Sequence, residues 1–493
     1  MAEVELTGVA GDLDAAVADL AERFRAALEA PARAAAEHDS PTLRARFEEP
    51  LPEDGMPVEA ILGQLEERSA GGLAGSTGGR YFGYVTGASL PAAAIVEAWT
   101  AAVDQNVGMW PLGPAAVELE QVTLGWLADL LGYPWAGSAG GKATGAQRET
   151  GPPKAGPGSG YFGSGATMAN TVALGVARHW FGRKHGIDVG EEGVRALPPL
   201  AVYGSVELHL SDHKALRTLG LGSGCVRAIP IDGAYAMEVE ALVAAIERDL
   251  EAGVEPAIVI AQAGSVNTGA SDPLDAIAEV CERYGLWLHV DGAFGAFFRL
   301  CERTAPLVRG MERADSLAVD AHKWLNVPNG VGFALIRDGE LHHETFRGSA
   351  GYLTPGSGVN IHEFAFEASR SWRGACVWAA LKALGRRGVE DLVTRCCDLA
   401  AELAAIVEEQ PRLELAAPAP TNIVCFRYVR EGMDPEAANR TIQAEVAASG
   451  RVFHTGATLD GRFCQRAAIS SWRTTSDDVQ ALADEVLRVG DGL

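Results

Sequence analysis

The spacing of hydrophobic residues divides the chain into predicted helices and strands. Two segments repeat their apolar residues every three or four positions, which predicts amphipathic helices over 12–30, with Asp12 as the N-cap, and over 114–134. The apolar positions of these helices are Leu13, Val17, Leu20, Phe24, Leu28, Leu119, Val122, Trp126 and Leu130. The apolar stripe of the first helix must be covered, either by the rest of the chain or by a partner subunit.

Short apolar runs alternate with helical segments from Tyr161 to about residue 340. Continuous runs of this length are typical of strands that are buried on both faces of a sheet. The predicted strands are Leu200–Tyr203, Ala257–Ala261, Leu286–Val290, Ser316–Val319 and Val331–Ile336. Because Asp272–Tyr284 between two of them has the helical period, we expect an α/β fold with a mainly parallel sheet and helices on both sides. Ligands of such sheets bind beyond the carboxyl ends of the strands.

The pattern changes after Arg370, where two helices are predicted over about 371–386 and 389–409, followed by a mixed α+β stretch. We therefore divide the chain into three regions. They are a helical and dimerisation segment over 1–110, a large domain over 111–380 and a smaller α+β domain over 381–493. Within the large domain, residues 136–159 are rich in Gly, Pro and Ala without any period, which predicts a surface loop.

Composition and charge narrow the classes of function. The chain has 493 residues, of which 47% are hydrophobic and 22% charged, as in an ordinary globular protein. Its net charge of −24 argues against nucleic acid or an anionic membrane as a partner, because phosphates would be repelled. No basic segment precedes an apolar one at the N-terminus, and no stretch reaches the roughly 18 apolar residues of a membrane span, so we expect neither a secretory signal nor a membrane anchor.

The eight cysteines are scattered along the chain and show neither CxxC nor metal-ligand spacing. In a long chain without a secretory signal, such cysteines are typical of reduced and mostly buried thiols. We therefore expect a cytoplasmic protein without a bound metal.

Two of the predicted strands lead to residues of complementary chemistry. Lys323 follows the Ser316–Val319 strand, where an amine can be held out of water and become the neutral nucleophile that condenses with an aldehyde. Asp291 ends the strand in Trp287-Leu-His-Val-Asp291. Alone, each would be an ordinary surface lysine or helix-capping aspartate. Together they form the pair that pyridoxal phosphate (PLP) requires, a Schiff-base lysine and a carboxylate for the pyridine nitrogen.

Three further segments carry residues suited to the same cofactor. Gly163–Asn170 is a Gly-rich turn into a helix, whose N-terminus offers N–H groups and a favourable dipole to a phosphate. His209 could stack on a pyridine ring, and Asn267 with Thr268 could place polar groups beside it. Each signal is weak alone, since glycine turns and single histidines are common.

With all of these motifs, the chain resembles the group II PLP-dependent amino-acid decarboxylases, which include the aromatic amino-acid, glutamate and cysteine-sulfinate decarboxylases. The resemblance extends over roughly residues 80 to 480, and the His322-Lys-Trp-Leu325 run is specific to that group. It implies fold type I and a homodimer with active sites at the subunit interface. It also implies an enzyme, a carboxy-lyase that converts an L-amino acid to the amine and carbon dioxide.

The resemblance also implies the role of individual residues. Lys323 would form the Schiff base, Asp291 would keep the ring nitrogen protonated and His209 would stack on the ring. The phosphate would lie at the glycine turn. The complete set implied for cofactor binding is Gly165, Ala166, Thr167, His209, Asn267, Thr268, Asp291, His322 and Lys323.

Substrate contacts are implied at Tyr84 and Thr86, in a segment that resembles one lining the substrate pocket, and at Arg373, which matches a family arginine. Arg373 could hold a carboxylate or form a structural ion pair. Aromatic residues such as Tyr84 slightly favour an aromatic or otherwise bulky substrate.

The expected reaction product depends on a loop that departs from the family pattern. Relatives carry a tyrosine there as the proton donor, whereas residues 355–364 contain none. His362 could replace it, since imidazole titrates near neutrality, or could be a simple exposed histidine. The alternatives to amine formation are therefore transamination, Cα–Cβ cleavage or aldehyde formation on the same scaffold, and, in a different class, a non-catalytic homologue.

Overall fold

The structure is a computed structural model that describes residues 13–29, 33–53, 55–135, 158–348 and 358–493. Its α-helices are α1 Leu13–Glu29, α2 Ser40–Phe47, α3 Val58–Ser69, α4 Pro91–Val103, α5 Pro114–Leu131, α6 Ala166–Lys184, α7 Val189–Glu192, α8 Leu210–Thr218, α9 Val239–Glu251, α10 Leu274–Tyr284, α11 Ala321–Trp324, α12 Gly339–Phe346, α13 Gly374–Glu409, α14 Pro435–Ser449 and α15 Ser476–Gly492. Its strands are β1 Tyr81–Phe82, β2 Ser159–Gly163, β3 Leu200–Ser205, β4 Val226–Ile229, β5 Glu255–Gln262, β6 Trp287–Asp291, β7 Ser316–Asp320, β8 Gly332–Ile336, β9 Leu413–Leu415, β10 Ile423–Tyr428, β11 Phe453–Leu459 and β12 Arg462–Ala468.

A seven-stranded sheet in the order β2-β8-β7-β6-β5-β3-β4 forms the centre of the large domain. The strands from β7 to β4 pair in parallel, whereas β8 runs antiparallel to both of its neighbours. Every residue of β6, β7 and β8 is buried, as expected for strands covered on both faces. The predicted α/β fold with a mainly parallel sheet is thus confirmed.

All five predicted strands are present in this sheet, as β3, β5, β6, β7 and β8, and the two other strands of the same sheet were missed. The first, β2, has the sequence Ser-Gly-Tyr-Phe-Gly, in which glycines obscure the apolar run. The second, β4, lies at the sheet edge and has only four residues, one of them buried. Neither strand carries the continuous apolar run by which the others were recognised.

A second sheet of five strands, in the order β1-β11-β12-β10-β9, lies in the C-terminal part of the chain. Its first strand, Tyr81–Phe82, comes from far upstream and pairs in parallel with β11. The segment that precedes the large sheet in sequence is therefore hydrogen-bonded to the C-terminal sheet through β1. The domain boundaries at 110 and 380 stay predictions.

The predicted N-terminal helix is α1, although its proposed N-cap Asp12 lies outside the described residues. Its Val17 and Leu20 remain 56% and 46% exposed, so the described chain leaves this part of the apolar stripe uncovered. The two predicted C-terminal helices are both present within α13, where Gly385, with φ +65° and ψ 176°, separates them. In the described ranges, no helix is long and apolar enough to cross a membrane.

Candidate active site

Adjacent strands deliver the principal polar residues to one edge of the large sheet. Asp291 is the last residue of β6 and Asp320 the last of β7, and the two strands pair in parallel. Lys323 follows within the short helix α11, whose N-cap is Asp320. Because parallel strands end at the same edge, the aspartate and the lysine predicted from sequence lie on the same side of the sheet.

Lys323 is held between a carboxylate and an aromatic ring. Its Nζ lies 2.9 Å from Asp320 Oδ2 and 5.8 Å from the centre of the Phe294 ring. Phe294 belongs to the loop that follows Asp291, so the ring places the amine beside that loop. Sequence reasoning missed Asp320, although a carboxylate three residues before a lysine in a helical turn is a recognisable spacing for an ion pair.

Asp291 is fixed by hydrogen bonds on both oxygens. Its Oδ2 accepts a hydrogen bond from Asn170 Nδ2 at 3.0 Å, and its Oδ1 accepts one from the backbone N–H of Ala293 at 3.0 Å. Asn170 Oδ1 lies 3.0 Å from His289 Nε2, and His289 Nδ1 lies 2.8 Å from Ser316 Oγ. Asn170, His289 and Ser316 are fully buried. This series of buried hydrogen bonds fixes the orientation of the Asp291 carboxylate.

Burial lowers the pKa of His289 to about 4, so its imidazole is neutral at physiological pH. A neutral ring has one donor and one acceptor nitrogen. Since Asn170 Oδ1 accepts only, His289 carries its proton on Nε2 and receives the Ser316 hydroxyl proton at Nδ1. Each hydrogen bond in this series is therefore donated toward Asp291: from Ser316 to His289, from His289 to Asn170 and from Asn170 to Asp291.

His209 is the N-cap of α8, and its Nδ1 accepts the backbone N–H of Ser211 at 3.2 Å. This bond leaves the proton of a neutral imidazole on Nε2. Burial lowers the pKa of His209, and the nearby charges of Asp291 and Lys323 act on it in opposite directions. His209, Asp291 and Lys323 therefore belong to one cluster.

The predicted phosphate turn has the geometry that only glycine accommodates. Gly165 has φ +141° and precedes α6 as its N-cap. A Cβ on Gly332 would lie 2.6 Å from the carbonyl carbon of Gly165, so β8 presses against the turn. The backbone N–H of Ala166 donates to Asp320 Oδ1 at 2.6 Å. The exposed Thr167 lies in the first helical turn, where backbone N–H groups have no partner within the helix.

The remaining predicted cofactor residues lie in the loops around this cluster. His322 is half-buried, and its Nδ1 donates to the carbonyl of Val331 at 2.8 Å. Asn267 Nδ2 donates to Glu207 Oε2 at 2.5 Å, and the hydroxyl of the buried Thr268 lies 3.1 Å from that of Ser265. The roles of these residues stay predictions.

The predicted substrate segment, which contains Tyr84 and Thr86, packs directly against the turn that carries Lys323, here called the lysine turn. A Cβ on Gly87 would lie 2.0 Å from the carbonyl oxygen of Lys323, so the segment with Tyr84 and Thr86 touches the backbone of the site. Tyr84 has φ +56°, an uncommon conformation for an aromatic residue, and its side chain is 62% exposed. The exposed ring of Tyr84 is therefore available to contact a ligand beside the lysine turn.

Arg466 is a residue that sequence reasoning missed. It lies on β12, is 3% exposed, and donates to the carbonyl of Tyr84 at 2.9 Å and to that of Val266 at 2.7 Å. Its Nη2 is buried and has no partner among the described residues. The arginine thus joins two loops at the site and retains an unused donor. Its distance along the chain from every other motif hid it from sequence reasoning.

The other two predicted substrate residues have partners elsewhere. Arg373 forms a two-pronged ion pair with Glu367, at 2.9 and 3.1 Å. The backbone N–H of His362 donates to the carbonyl of Gly108 at 2.9 Å. Part of the expected proton-donor loop, residues 355–357, lies outside the described residues. The substrate-binding roles of Arg373 and His362 stay predictions.

This arrangement suits a planar cofactor that carries an aldehyde, a ring nitrogen and a phosphate. Lys323 provides an amine, Asp291 a buried and oriented carboxylate, and His209 a flat ring beside both. The turn at Gly165 provides a helix N-terminus, with the Asp320 carboxylate on the N–H of Ala166. The residues present therefore fit PLP.

Comparison with known proteins agrees with this fit. The family model described as the pyridoxal-dependent decarboxylase conserved domain matches residues 41–429. Aromatic-L-amino-acid decarboxylase of Bacillus atrophaeus is 28% identical over 464 residues, which cover 91% of this chain and 90% of that protein. Phenylacetaldehyde synthase of Arabidopsis thaliana is 26% identical over 439 residues, which cover 87% and 85%.

A solved structure, that of Oryza sativa TDC with PLP and tryptamine, superimposes with a TM-score of 0.86 at 22% identity, covering 100% of this chain and 99% of that one. The fold of the chain is therefore shared with this protein.

Proposed function

The chain belongs to the pyridoxal-dependent decarboxylase family and is therefore a PLP-dependent amino-acid carboxy-lyase. We propose that it converts an aromatic L-amino acid to the corresponding amine and carbon dioxide, with Lys323 as the Schiff-base lysine. The observation that carries the proposal is the cluster at the ends of β6 and β7. It combines an amine, an oriented carboxylate and a neutral imidazole.

Each residue of the cluster has a distinct proposed task. Lys323 holds the cofactor through its aldehyde carbon, and its ion pair with Asp320 keeps the amine in place before binding. Asp291 holds the proton of the ring nitrogen, and the bonds from Asn170 and Ala293 fix the direction of its carboxylate. When bound, PLP supplies the electron sink for the pair released as the bond to the substrate carboxylate breaks.

The phosphate is proposed to lie at the N-terminus of α6. Gly165 and Thr167 would present backbone N–H groups, Ala166 would line the turn with its own N–H bonded to Asp320, and His322 would lie beside the phosphate. Asn267 and Thr268 would border the ring. His209 would cover one face of it, which also excludes water from the reacting atoms.

For the substrate carboxylate we propose Arg466 as the main partner. A buried guanidinium with one unused Nη2 has both the charge and a free donor for it. Arg373, whose guanidinium already pairs with Glu367, remains the alternative partner. His362 is retained as the proposed proton donor.

The aromatic substrate class rests on two lines of support. Tyr84 presents an exposed ring at the lysine turn, with Thr86 beside it, and the Phe294 ring lies 5.8 Å from Lys323 Nζ. Such rings attract flat apolar side chains. The Bacillus relative is named for the same substrate class.

A second candidate is decarboxylation with aldehyde formation. It is favoured by the absence of tyrosine in residues 355–364 and by the similarity to phenylacetaldehyde synthase. In that reaction dioxygen and water are consumed, and the products are aldehyde, carbon dioxide, ammonia and hydrogen peroxide. The two outcomes are distinguished by their products.

We also propose a cytoplasmic homodimer whose subunits share the active sites. Support for the dimer comes from apolar side chains that the described chain leaves exposed, with Trp99 and Ile95 on α4 and Val122 and Trp126 on α5. A cytoplasmic location is supported by the eight free cysteines, seven of which are buried.

The test is a product assay on the purified full-length protein with PLP. Aromatic, acidic, basic and aliphatic L-amino acids are supplied singly, and carbon dioxide, amine, aldehyde and peroxide are measured. We expect equal amounts of carbon dioxide and amine from an aromatic substrate. Release of carbon dioxide from acidic amino acids alone would overturn the substrate class, and peroxide with aldehyde would favour the second candidate.

Lys323→Ala should release no carbon dioxide and should retain no cofactor on the protein after borohydride reduction. The exposed Lys382→Ala serves as the matched control and should behave like the unaltered protein. Covalent retention of PLP by the Lys323 variant would contradict the assignment.

A further inference from the structure

Asp212 is a buried acid next to the active site that the proposed reaction does not use. It lies in the first turn of α8, three residues after His209, and is 0% exposed. Neither of its carboxyl oxygens accepts a hydrogen bond from a donor of another described residue. Its side chain lies against the carboxyl group of Asp291. The neighbouring Ser211 accepts a hydrogen bond from Asn170 at 3.2 Å, which places the start of α8 against the same side chain that binds Asp291.

Two carboxyl groups in contact can form a hydrogen bond only if one carries a proton, since ionised carboxylates accept and do not donate. Asp291 already receives donors from Asn170 and Ala293, which stabilise its charged form. Asp212 receives no donor from another described residue, and a charge without such partners is costly to bury. The proton therefore belongs to Asp212.

The groups that face Asp212 add no opposing positive charge. On its own helix the next residues are His213 and the exposed Lys214, and the charge that acts directly on Asp212 is that of Asp291 at the end of β6. His209 and His289 belong to the same buried hydrogen-bond network through Ser211 and Asn170. Both histidines have a pKa lowered by burial, and Asn170 from α6 is uncharged. Lys323 pairs with Asp320 at 2.9 Å. Burial and the charge of Asp291 together raise the pKa of Asp212 well above its ordinary value.

We propose that Asp212 is a positioning residue that remains protonated at neutral pH and donates a hydrogen bond to the Asp291 carboxylate, so that the pair carries a single negative charge. This inference rests on the proposed role of Asp291 toward the ring nitrogen. Its first consequence is geometric, because Asp291 is then held by three donors, from α6, from its own loop and from α8. Its second is electrostatic, because the two carboxyl groups then present one negative charge rather than two to the ring nitrogen.

Two substitutions distinguish the hydrogen bond donated by Asp212 from the packing of its side chain. Asp212→Asn keeps a donor toward Asp291 but cannot ionise, whereas Asp212→Leu fills the space without a donor. Asp249→Asn is the matched control, because Asp249 is a buried carboxylate that pairs with Arg227 at 3.0 Å, away from the site. All three are made in the full-length chain.

The first measurement is infrared spectroscopy at pH 7, with and without PLP. We expect the carbonyl band of a protonated carboxylic acid in the unaltered protein and in Asp249→Asn, and its loss in both Asp212 variants. An unchanged spectrum in Asp212→Asn would overturn the proposal.

The second measurement is the thermal midpoint of the protein without PLP as a function of pH. A folded-state pKa above the unfolded value of 3.8 contributes stability that is complete below pH 3.8 and is lost as the pH rises through the folded value. Asp212→Asn should therefore become progressively more stable than the unaltered protein as the pH rises from 4. A constant difference would contradict a shared proton.

Kinetics then test the effect on Asp291. We expect Asp212→Leu to lower kcat about tenfold, the loss typical of removing a partner that orients a functional group, with little change in KM. Asp212→Asn should restore most of kcat. If the infrared and stability results hold while no amino acid is decarboxylated, the proposed function fails and the protonated pair stands.

Discussion

At the residue scale, two arginines compete for the substrate carboxylate, and their partners distinguish them. Arg373 uses both prongs of its guanidinium on Glu367, whereas Arg466 keeps a buried Nη2 without a partner. Because an ion pair must be broken before Arg373 can bind another anion, Arg466 has the lower cost of binding.

We predict that Arg466→Gln raises KM roughly 10- to 100-fold, the equivalent of one charged hydrogen bond of about 1.5–3 kcal/mol. Arg462→Gln, on the same strand but exposed, is the control and should leave KM unchanged. Steady-state kinetics with the best substrate measure both. A large rise in KM in Arg373→Gln, with none in Arg466→Gln, would assign the carboxylate to Arg373.

At the scale of elements, the turn after Lys323 is locked by one side chain. Asn326 is fully buried with φ +49°, and its amide donates to the carbonyls of Lys323, Trp324 and Ser470 at 2.9–3.1 Å. Its Oδ1 accepts the backbone N–H of Trp472 at 2.8 Å. The lysine turn is thereby tied to the C-terminal part of the chain.

We predict that Asn326→Ala destabilises the protein by roughly 2–4 kcal/mol, because several buried backbone groups lose their partner. Asn326→Gly loses the same hydrogen bonds but tolerates the positive φ, so it should be somewhat more stable than the alanine variant. Urea unfolding measures both. Equal stability of Asn326→Ala and the unaltered protein would refute the locking role.

The contact of β8 with the phosphate turn leads to a prediction about cofactor affinity. A Cβ at Gly332 would lie 2.6–2.8 Å from backbone atoms of Gly165 and Ala166. Gly332→Ala should therefore displace the turn and weaken PLP binding by about tenfold or more, equal to at least ~1.4 kcal/mol. Gly224→Ala, whose Cβ would meet open space, is the control. Fluorescence titration with PLP gives the affinities, and an unchanged value in Gly332→Ala would remove the turn from the site.

At the scale of the whole molecule, the exposed apolar side chains of α4 and α5 predict an interface. Trp99 is 55% and Trp126 41% exposed, and large exposed apolar side chains on neighbouring elements are typical of an interaction surface. We expect the double variant Trp99→Glu, Trp126→Glu to be monomeric by analytical ultracentrifugation. Leu250→Glu, at an exposed apolar position on α9, should leave the oligomeric state unchanged. A monomeric unaltered protein would refute the dimer.

Three fully buried histidines predict the acid sensitivity of the fold. Burial lowers the pKa of His289 to about 4, of His342 to about 3 and of His454 to about 4, from 6.5. The unfolded chain therefore binds more protons below pH 6.5, so the free energy of unfolding falls as the pH is lowered from 6.5 toward 4. Each histidine should contribute roughly 2–3 kcal/mol to this loss.

His454→Gln should reduce the pH dependence of the urea midpoint between pH 7 and 4.5, since a glutamine can replace the hydrogen bond to Gln465 but does not titrate. A midpoint that is independent of pH over this range would contradict the argument.

The sequence alone determined the class of fold and the identity of the cofactor. Buried strands on both sheet faces need continuous apolar runs, so β3, β5, β6, β7 and β8 were recognisable from local spacing. Lys323 and Asp291 were recognisable for a related reason, because each stands at a strand end within a short motif. Where the edge strand was short, or glycine interrupted it, the local signal was lost.

Only the tertiary structure decided which other residues share the site. Asp320, Arg466 and Asp212 gain their significance from partners that the fold supplies: the Ala166 N–H, the carbonyl of Tyr84 and the carboxyl of Asp291. Hydrogen bonds and burial between residues far apart in the chain depend on how elements pack, which no local pattern records. The sequence therefore names the cofactor, whereas the packing around Asp291 and Lys323 sets the charges that act on it.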